Sequence, residues 1–219
     1  MTRGIKRIIF WLAAGIIIIG GFLAIIFANT NTGNNNKHIG EVGTDEWIKG
    51  DPLSKVVLVE YSDFQCPACK TREAQNKKLL DEFGNHIKFV YRHFSWDYHE
   101  RAFLASQASE AAGIQGKFWE MHDKIFENQG IWSKQSETAA EESFIAYALM
   151  LNLDIEKFKN DLYSNEVENK IEEDHASGNA AGIDATPIYF LNGTIINPRT
   201  YDEFRDLVRD AIEKANQPA

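Results

Sequence analysis

Cysteine is nearly absent, with two residues in 219. That count excludes a four-cysteine zinc site and any framework of several disulfides. Proline (5) and glycine (15) are also scarce, which excludes collagen-like and Pro/Gly-rich disordered chains. Cations fall short of anions, 23 Lys plus Arg against 32 Asp plus Glu for a net charge of −9. A clustered cationic face is what a phosphate backbone needs, so no nucleic-acid partner is expected. What remains, 44% hydrophobic and 25% charged residues, is the make-up of a globular protein.

One long uncharged run breaks the globular pattern. From Ile8 to Ala28 no charge occurs, and at 1.5 Å rise per residue that length spans the roughly 30 Å hydrocarbon layer. The run is longer than the apolar region of a cleaved signal peptide, and Phe27 spoils the nearest small-x-small site. A single membrane-spanning helix over 8–28 is therefore expected, serving as an uncleaved anchor. Arg3, Lys6 and Arg7 precede it and only Lys37 lies close behind it, so residues 1–7 are expected in the cytoplasm and the rest outside the cell membrane. Residues 29–43 contain almost no large apolar side chains and read as a flexible tether. A single domain is expected over 44–219.

Within that domain the hydrophobic periods change in order. Val56-Val57-Leu58-Val59 reads as a buried strand. Cys66-Pro67-Ala68-Cys69 opens a helical stretch, with Pro67 suited to its first position and Gly84 to its end. His86 to Phe94 alternates as a second strand, giving a β-α-β order and a parallel pair. From about 96 to 181 the spacing is helical, through Ala102, Ala105, Ala108, Ala112, Phe118, Met121, Ile125, Phe144, Ala148, Leu151, Ile155, Phe158 and Leu162. Ile188 to Leu191 and Thr194 to Ile196 flank Asn192-Gly193, the pair best suited to a two-residue hairpin. Thr200 with Glu203 forms a capping box for a last helix with Phe204, Leu207, Val208 and Ile212 on its buried stripe. The expected class is α/β.

The chemistry points to Cys66 and Cys69. Three positions apart at a helix start, their side chains share a face, and the first sulfur lies beside unpaired backbone N–H groups that favour a thiolate. Cys66 is then the nucleophile and Cys69 the resolving thiol. A stabilised thiolate stabilises the reduced state, so such a pair gives its disulfide away readily. A zinc site would need ligands from His38, His86, His93, His99, His122 or His175, of which only His93 and His99 are near each other and lack ligand spacing. An inert bridge closing so short a loop would add little stability. No metal and no cofactor are expected.

The segments Glu60-Tyr61-Ser62-Asp63-Phe64-Gln65-Cys66-Pro67-Ala68-Cys69 and Gly182-Ile183-Asp184-Ala185-Thr186-Pro187-Ile188-Tyr189-Phe190-Leu191-Asn192-Gly193 closely resemble the DsbA-like thiol-disulfide oxidoreductases of the thioredoxin superfamily. The resemblance runs from about Lys49 to Asn216 and implies a thioredoxin fold with a helical domain inserted between its halves. It implies that Pro187 is cis and packs against the sulfurs, whereas the residues alone allow a proline that merely starts a strand. It implies that Thr186 offers its backbone to an extended substrate. Glu60 matches the family's buried acid six residues before the first cysteine, a proton-handling role for Cys69, against the alternative of a strand-end acid facing water. Pro67 and Ala68 complete the active-site motif, but strong oxidants of the family carry His where this chain has Ala68, which implies a milder oxidant. Lys70 and Arg72 can replace part of that charge or remain solvated.

The implied activity is insertion or exchange of disulfide bonds in partly folded, cysteine-bearing exported proteins, with a DsbB-like or VKOR-like membrane partner recycling the pair. The alternatives are a membrane-tethered reductase or isomerase and a non-catalytic peptide-binding or metal-chaperone module. Phe118, Trp119, Met121, His122, Ile125 and Phe126 are expected to pack within the insert. Trp96, Tyr98 and His99 follow the second strand and are candidates for the border of a substrate groove.

Overall fold

The computed structural model describes Ile39, Val42, Gly43 and residues 45–217. The expected N-terminus 1–7 and membrane helix 8–28 lie outside the described residues, as does most of the expected tether. Among the described residues no helix is long and apolar enough to cross a membrane. Ile39 and Val42, inside the expected tether, pack against the buried cluster that contains Val59, Tyr61 and Val90.

Five strands form one mixed sheet: β1 (Trp47–Gly50), β2 (Val57–Ser62), β3 (Lys88–His93), β4 (Ile188–Leu191) and β5 (Thr194–Ile196), in the spatial order β1-β3-β2-β4-β5. Strands β2 and β3 are parallel, with Glu60 opposite Tyr91, and the other three pairings are antiparallel. Helix α1 (Pro67–Phe83) makes the β2–β3 crossover, as a parallel pair requires. Pro67 stands at its start, where a missing N–H leaves nothing unpaired. Gly84 caps its end with right-handed dihedrals (φ −53°) and leads into a 3-10 turn, Gly84–His86. The helix thus tightens there rather than stopping on a left-handed glycine.

Period-2 alternation sends β2 to both faces. Leu58 and Phe89 pack with Leu79 of α1 and with Phe204 and Val208 of the last helix, α8 (Tyr201–Ala215). Val59, Tyr61, Val90 and Phe190 pack on the other face with Ala181 and Ile183. The expected hairpin is present, with Asn192 at φ 49° and Gly193 at φ 79°. Thr200 accepts from the Glu203 N–H at 3.2 Å, while the Glu203 carboxylate accepts from the Arg199 N–H at 2.8 Å, one residue before the reciprocal position.

The insert consists of α2 (Ala102–Gly113), α3 (Phe118–Glu127), α4 (Gln129–Trp132), α5 (Glu137–Met150), α6 (Ile155–Leu162) and α7 (Asn165–Ala180). Ser136, Asp154 and Ser164 cap α5, α6 and α7 by accepting from the N–H three residues on. Phe118, Met121, Ile125, Phe126, Phe144 and Phe158 share one buried cluster with Phe64 and both cysteines, so the insert core abuts the redox pair.

Strand β1 has no sequence signature of its own, being four residues of mixed polarity defined by pairing with β3. Its last residue, Gly50, has φ +87°, and a Cβ there would lie 2.4 Å from the Ile87 carbonyl and 2.7 Å from that of Gly84. Gly50→Ala is expected to cost about 1–3 kcal/mol in urea unfolding, because both the left-handed backbone and the clash with main-chain oxygens resist relief. A stability equal to that of the parent chain would contradict this placement.

Candidate active site

Strand β2 ends at Ser62, and Asp63-Phe64-Gln65 turns the chain into α1. Asp63 makes that turn: Oδ1 accepts from the N–H of Gln65 at 2.7 Å and of Cys66 at 3.2 Å, the Asx geometry that forms ahead of a helix. Cys66 is thereby held as the N-cap, in extended conformation and without a side-chain cap of its own. Its sulfur faces the amides of Ala68 and Cys69. From the insert, Gln129 donates to the carbonyls of Phe64 at 2.7 Å and Cys66 at 2.9 Å, clamping the turn from outside.

Cys66 and Cys69 lie 3.6 Å apart as free thiols. Their environments differ: Cys66 retains 9% of its exposure and Cys69 1%. The hydrogen bond from Cys69, aided by the two helix amides and the Thr186 hydroxyl, outweighs partial burial and lowers the Cys66 pKa to about 5. Burial, then the hydrogen bond it donates and the charge of Cys66, push Cys69 well above the ordinary thiol range. One proton is thus shared unequally, leaving a thiolate on the outer sulfur and a thiol on the inner one.

Glu60 lies on the face of β2 under α1 and is buried. Its carboxylate accepts from Asn76 Nδ2 at 2.7 Å, and Asn76 Oδ1 accepts from Tyr189 at 2.9 Å. Burial, with the charge of Glu73 second, raises its pKa to about 8. The solvent-facing alternative for Glu60 is excluded, and its charge is felt at Cys69.

The Thr186–Pro187 bond is cis. As a thiol, Cys66 Sγ donates to the Thr186 carbonyl at 3.4 Å, and the Thr186 hydroxyl favours the thiolate. Trp96 Nε1 donates to that hydroxyl at 3.0 Å. Asp63 Oδ2 accepts from Trp96 N–H at 2.9 Å and pairs with His99 Nδ1 at 2.8 Å. Pro67 and Ala68 are exposed, and Ala68 presents no polar side-chain atom. Lys70 donates to the Glu127 carbonyl, and Arg72 to Gln75 and the Pro198 carbonyl. Neither cation is bonded to the Cys66 sulfur.

Asp63, Asn76 and Gln129 were not singled out from the sequence. Asp63 left a readable trace, an Asx residue two places before Gln65 and three before the N-cap. Asn76 and Gln129 left none, because their roles arise from helices packed across the sheet and the insert.

His93 pairs with Glu110 at 2.7 Å, and no histidine joins the cysteines in a ligand set among the described residues. The one group there with metal-compatible spacing is Glu73, His122 and Asp123. Lys77, 3.4 Å from Asp123 and 4.0 Å from Glu73, already supplies its counter-charge. His122 is buried, with Nδ1 on Asp123 at 2.9 Å and Nε2 without a hydrogen-bond partner.

A thioredoxin family model, Thioredoxin_4, matches residues 42–210. Among solved structures, a thioredoxin-like oxidoreductase from Silicibacter pomeroyi aligns at 25% identity and TM-score 0.65, covering 81% of this chain and 95% of that one. BdbD from Bacillus subtilis aligns at 24% identity and TM-score 0.70, covering 80% and 98%. Wolbachia pipientis α-DsbA1 aligns at 20% and 0.70, covering 80% and 94%. Among curated proteins, a Na(+)/H(+) antiporter NhaA of Mycolicibacterium vanbaalenii is 36% identical over 151 residues, 67% of this chain. The chain spans only 23% of that protein's length, so the likeness is to a part of it.

Titration of the reduced chain by thiolate absorbance is expected to show a midpoint near 5 for Cys66. Because the folded value lies below that of a free thiol, about 8.5, the reduced form is stabilised above that range and the advantage fades as pH falls through 5. A single midpoint above 8 would overturn the proton-sharing arrangement.

Proposed function

Since the chain belongs to the thioredoxin family, we propose that it is a thiol-disulfide oxidoreductase whose Cys66–Cys69 pair exchanges disulfides with cysteine-bearing proteins. The observation that carries this is the split between the two sulfurs, one lowered to about 5 and the other raised by burial, 3.6 Å apart at a helix start. An inert structural bridge has no use for such a split.

In the oxidising direction a substrate thiolate attacks Cys66 of the disulfide form. The Cys66–Cys69 bond breaks and a mixed disulfide forms on Cys66. Cys69 departs with the bonding electrons and takes a proton, for which Glu60, raised to about 8, is the donor underneath. A second substrate thiolate attacks the substrate sulfur of the mixed disulfide, and Cys66 leaves as the stabilised thiolate. Two electrons pass from substrate to enzyme; both substrate protons enter solvent, Cys69 takes its proton from Glu60, and Glu60 regains one from solvent. The Thr186 carbonyl pairs with the backbone of an extended substrate, a reading supported by its position 3.4 Å from the Cys66 sulfur.

The finer reading rests on the sequence: a membrane anchor over 8–28, a catalytic domain outside the cell membrane, exported proteins as substrates, and reoxidation by a DsbB-like or VKOR-like membrane partner. The uncharged run and the cations before it support this orientation.

Equilibration with glutathione is expected to place the pair well above thioredoxin, whose potential is about −270 mV, on the side of DsbA at about −120 mV. A potential near the thioredoxin value would favour the reductase reading instead. Cys66→Ser is expected to abolish thiol oxidation, whereas Cys69→Ala should accumulate mixed disulfides whose partners mass spectrometry can identify. Glu60→Gln should slow formation of the mixed disulfide by roughly 10²-fold near pH 7, the usual worth of a positioned acid or base. Unchanged kinetics would remove Glu60 from the mechanism.

A further inference from the structure

Trp96 takes no part in the exchange just described, yet it is tied to the site at both ends. Its backbone N–H donates to Asp63 Oδ2 at 2.9 Å and its indole N–H to the Thr186 hydroxyl at 3.0 Å. The other oxygen of Asp63, a carboxylate buried to 0% exposure, holds the Cys66 amide at 3.2 Å. The indole itself is wedged, stacked on Tyr98 at 5.8 Å and edge-on to Phe94 at 5.0 Å.

Thr186 presents two opposed groups to Cys66. Its carbonyl can only accept, and so favours the thiol; its hydroxyl carries one proton, and favours the thiolate when that proton points at the sulfur. A hydroxyl oxygen that already accepts an indole N–H cannot aim its own proton back along the same line. The rotor is therefore turned away from Trp96 and free to point toward Cys66, whose pKa the Thr186 hydroxyl lowers.

Resting on the thiol-disulfide reading, we propose that Trp96 is a positioning residue of the redox site: its indole N–H orients the Thr186 hydroxyl toward the Cys66 sulfur, and Asp63 holds the two loops in the register that permits it. The site then obtains from a tryptophan, through a threonine, part of the thiolate stabilisation that the Ala68 side chain does not supply. The other titratable groups facing the pair are Cys69 of α1, Glu60 of β2, Asp63 of the β2–α1 turn, Tyr91 of β3, Tyr189 of β4, and Tyr98 and His99 of the β3–α2 loop. A change of Trp96 to Phe leaves all of them in the sequence.

The test uses the full-length chain, reduced, with the Cys66 thiolate titrated and the glutathione equilibrium measured in the same samples. Trp96→Phe keeps a ring and loses the N–H. It is expected to lower the thiolate-to-thiol ratio roughly two- to tenfold, the net worth of one hydrogen bond, and to make the pair correspondingly less oxidising. Thr186→Val should give a similar shift, and Trp96→Phe added to Thr186→Val should give none beyond it. Thr186→Ser, which keeps the hydroxyl, should retain both the low pKa and its sensitivity to Trp96→Phe.

A Trp96→Phe titration identical to the parent overturns the proposal, and so does an equal shift in the Val background, which would mean that lost packing rather than the hydroxyl is responsible. Either result leaves the redox function standing if exchange still depends on Cys66. Exchange that survives Cys66→Ser would overturn the redox reading itself.

Discussion

Two sulfurs of one chemical type, 3.6 Å apart, are forced into unlike protonation states. The Cys66 sulfur sits where helix amides point outward, and the Cys69 sulfur one turn deeper where no water reaches. Desolvation penalises charge on the deeper atom and the amides reward it on the outer one, so the hydrogen bond between them carries its proton on the inner sulfur. The remainder of the site is arranged around this asymmetry. In the proposed exchange a substrate thiolate opens the disulfide, the departing Cys69 takes a proton for which the buried Glu60 is the proposed donor, and Cys66 then leaves as the stable thiolate.

The asymmetry is maintained by clamps from three directions. Asp63 binds the Cys66 amide on one side and the Trp96 amide on the other, joining the dithiol turn to the β3–α2 loop. Gln129 reaches from the insert to the carbonyls of Phe64 and Cys66. Asn76 and Tyr189 hold Glu60 from α1 and β4. Each clamp crosses from one structural layer to another, so insert, sheet and helix all hold the dithiol turn and the acid beneath it. The insert is thus more than a cover: its core includes both cysteines.

Much of this architecture was legible in one sequence because the signals were local. Val56 to Val59 gave a strand, Pro67 a helix start, Asn192-Gly193 a hairpin, and Thr200 with Glu203 a helix cap; each rests on a few neighbouring residues and appears in the structure. The helical spacing between 96 and 181 held because amphipathic stripes must face a core wherever the helix lies. Strand β1 was invisible, since Trp47 to Gly50 becomes a strand only by pairing with β3. Gly84 marked the helix end, but its right-handed dihedrals reflect the 3-10 turn that follows rather than glycine's freedom.

The sequence by itself determined that two cysteines stand at a helix start, which residues lie on a β-rich or helical period, and where chain reversals occur. These follow from bond geometry and nearest neighbours. Only the tertiary structure decided that Glu60 is buried rather than solvated, that Thr186 meets Cys66 across 120 positions, and that Asp63, Trp96, Asn76 and Gln129 belong to the site. Burial and hydrogen bonding between residues remote in the chain set a sulfur's acidity, and neither exists until the sheet and the insert have closed around it.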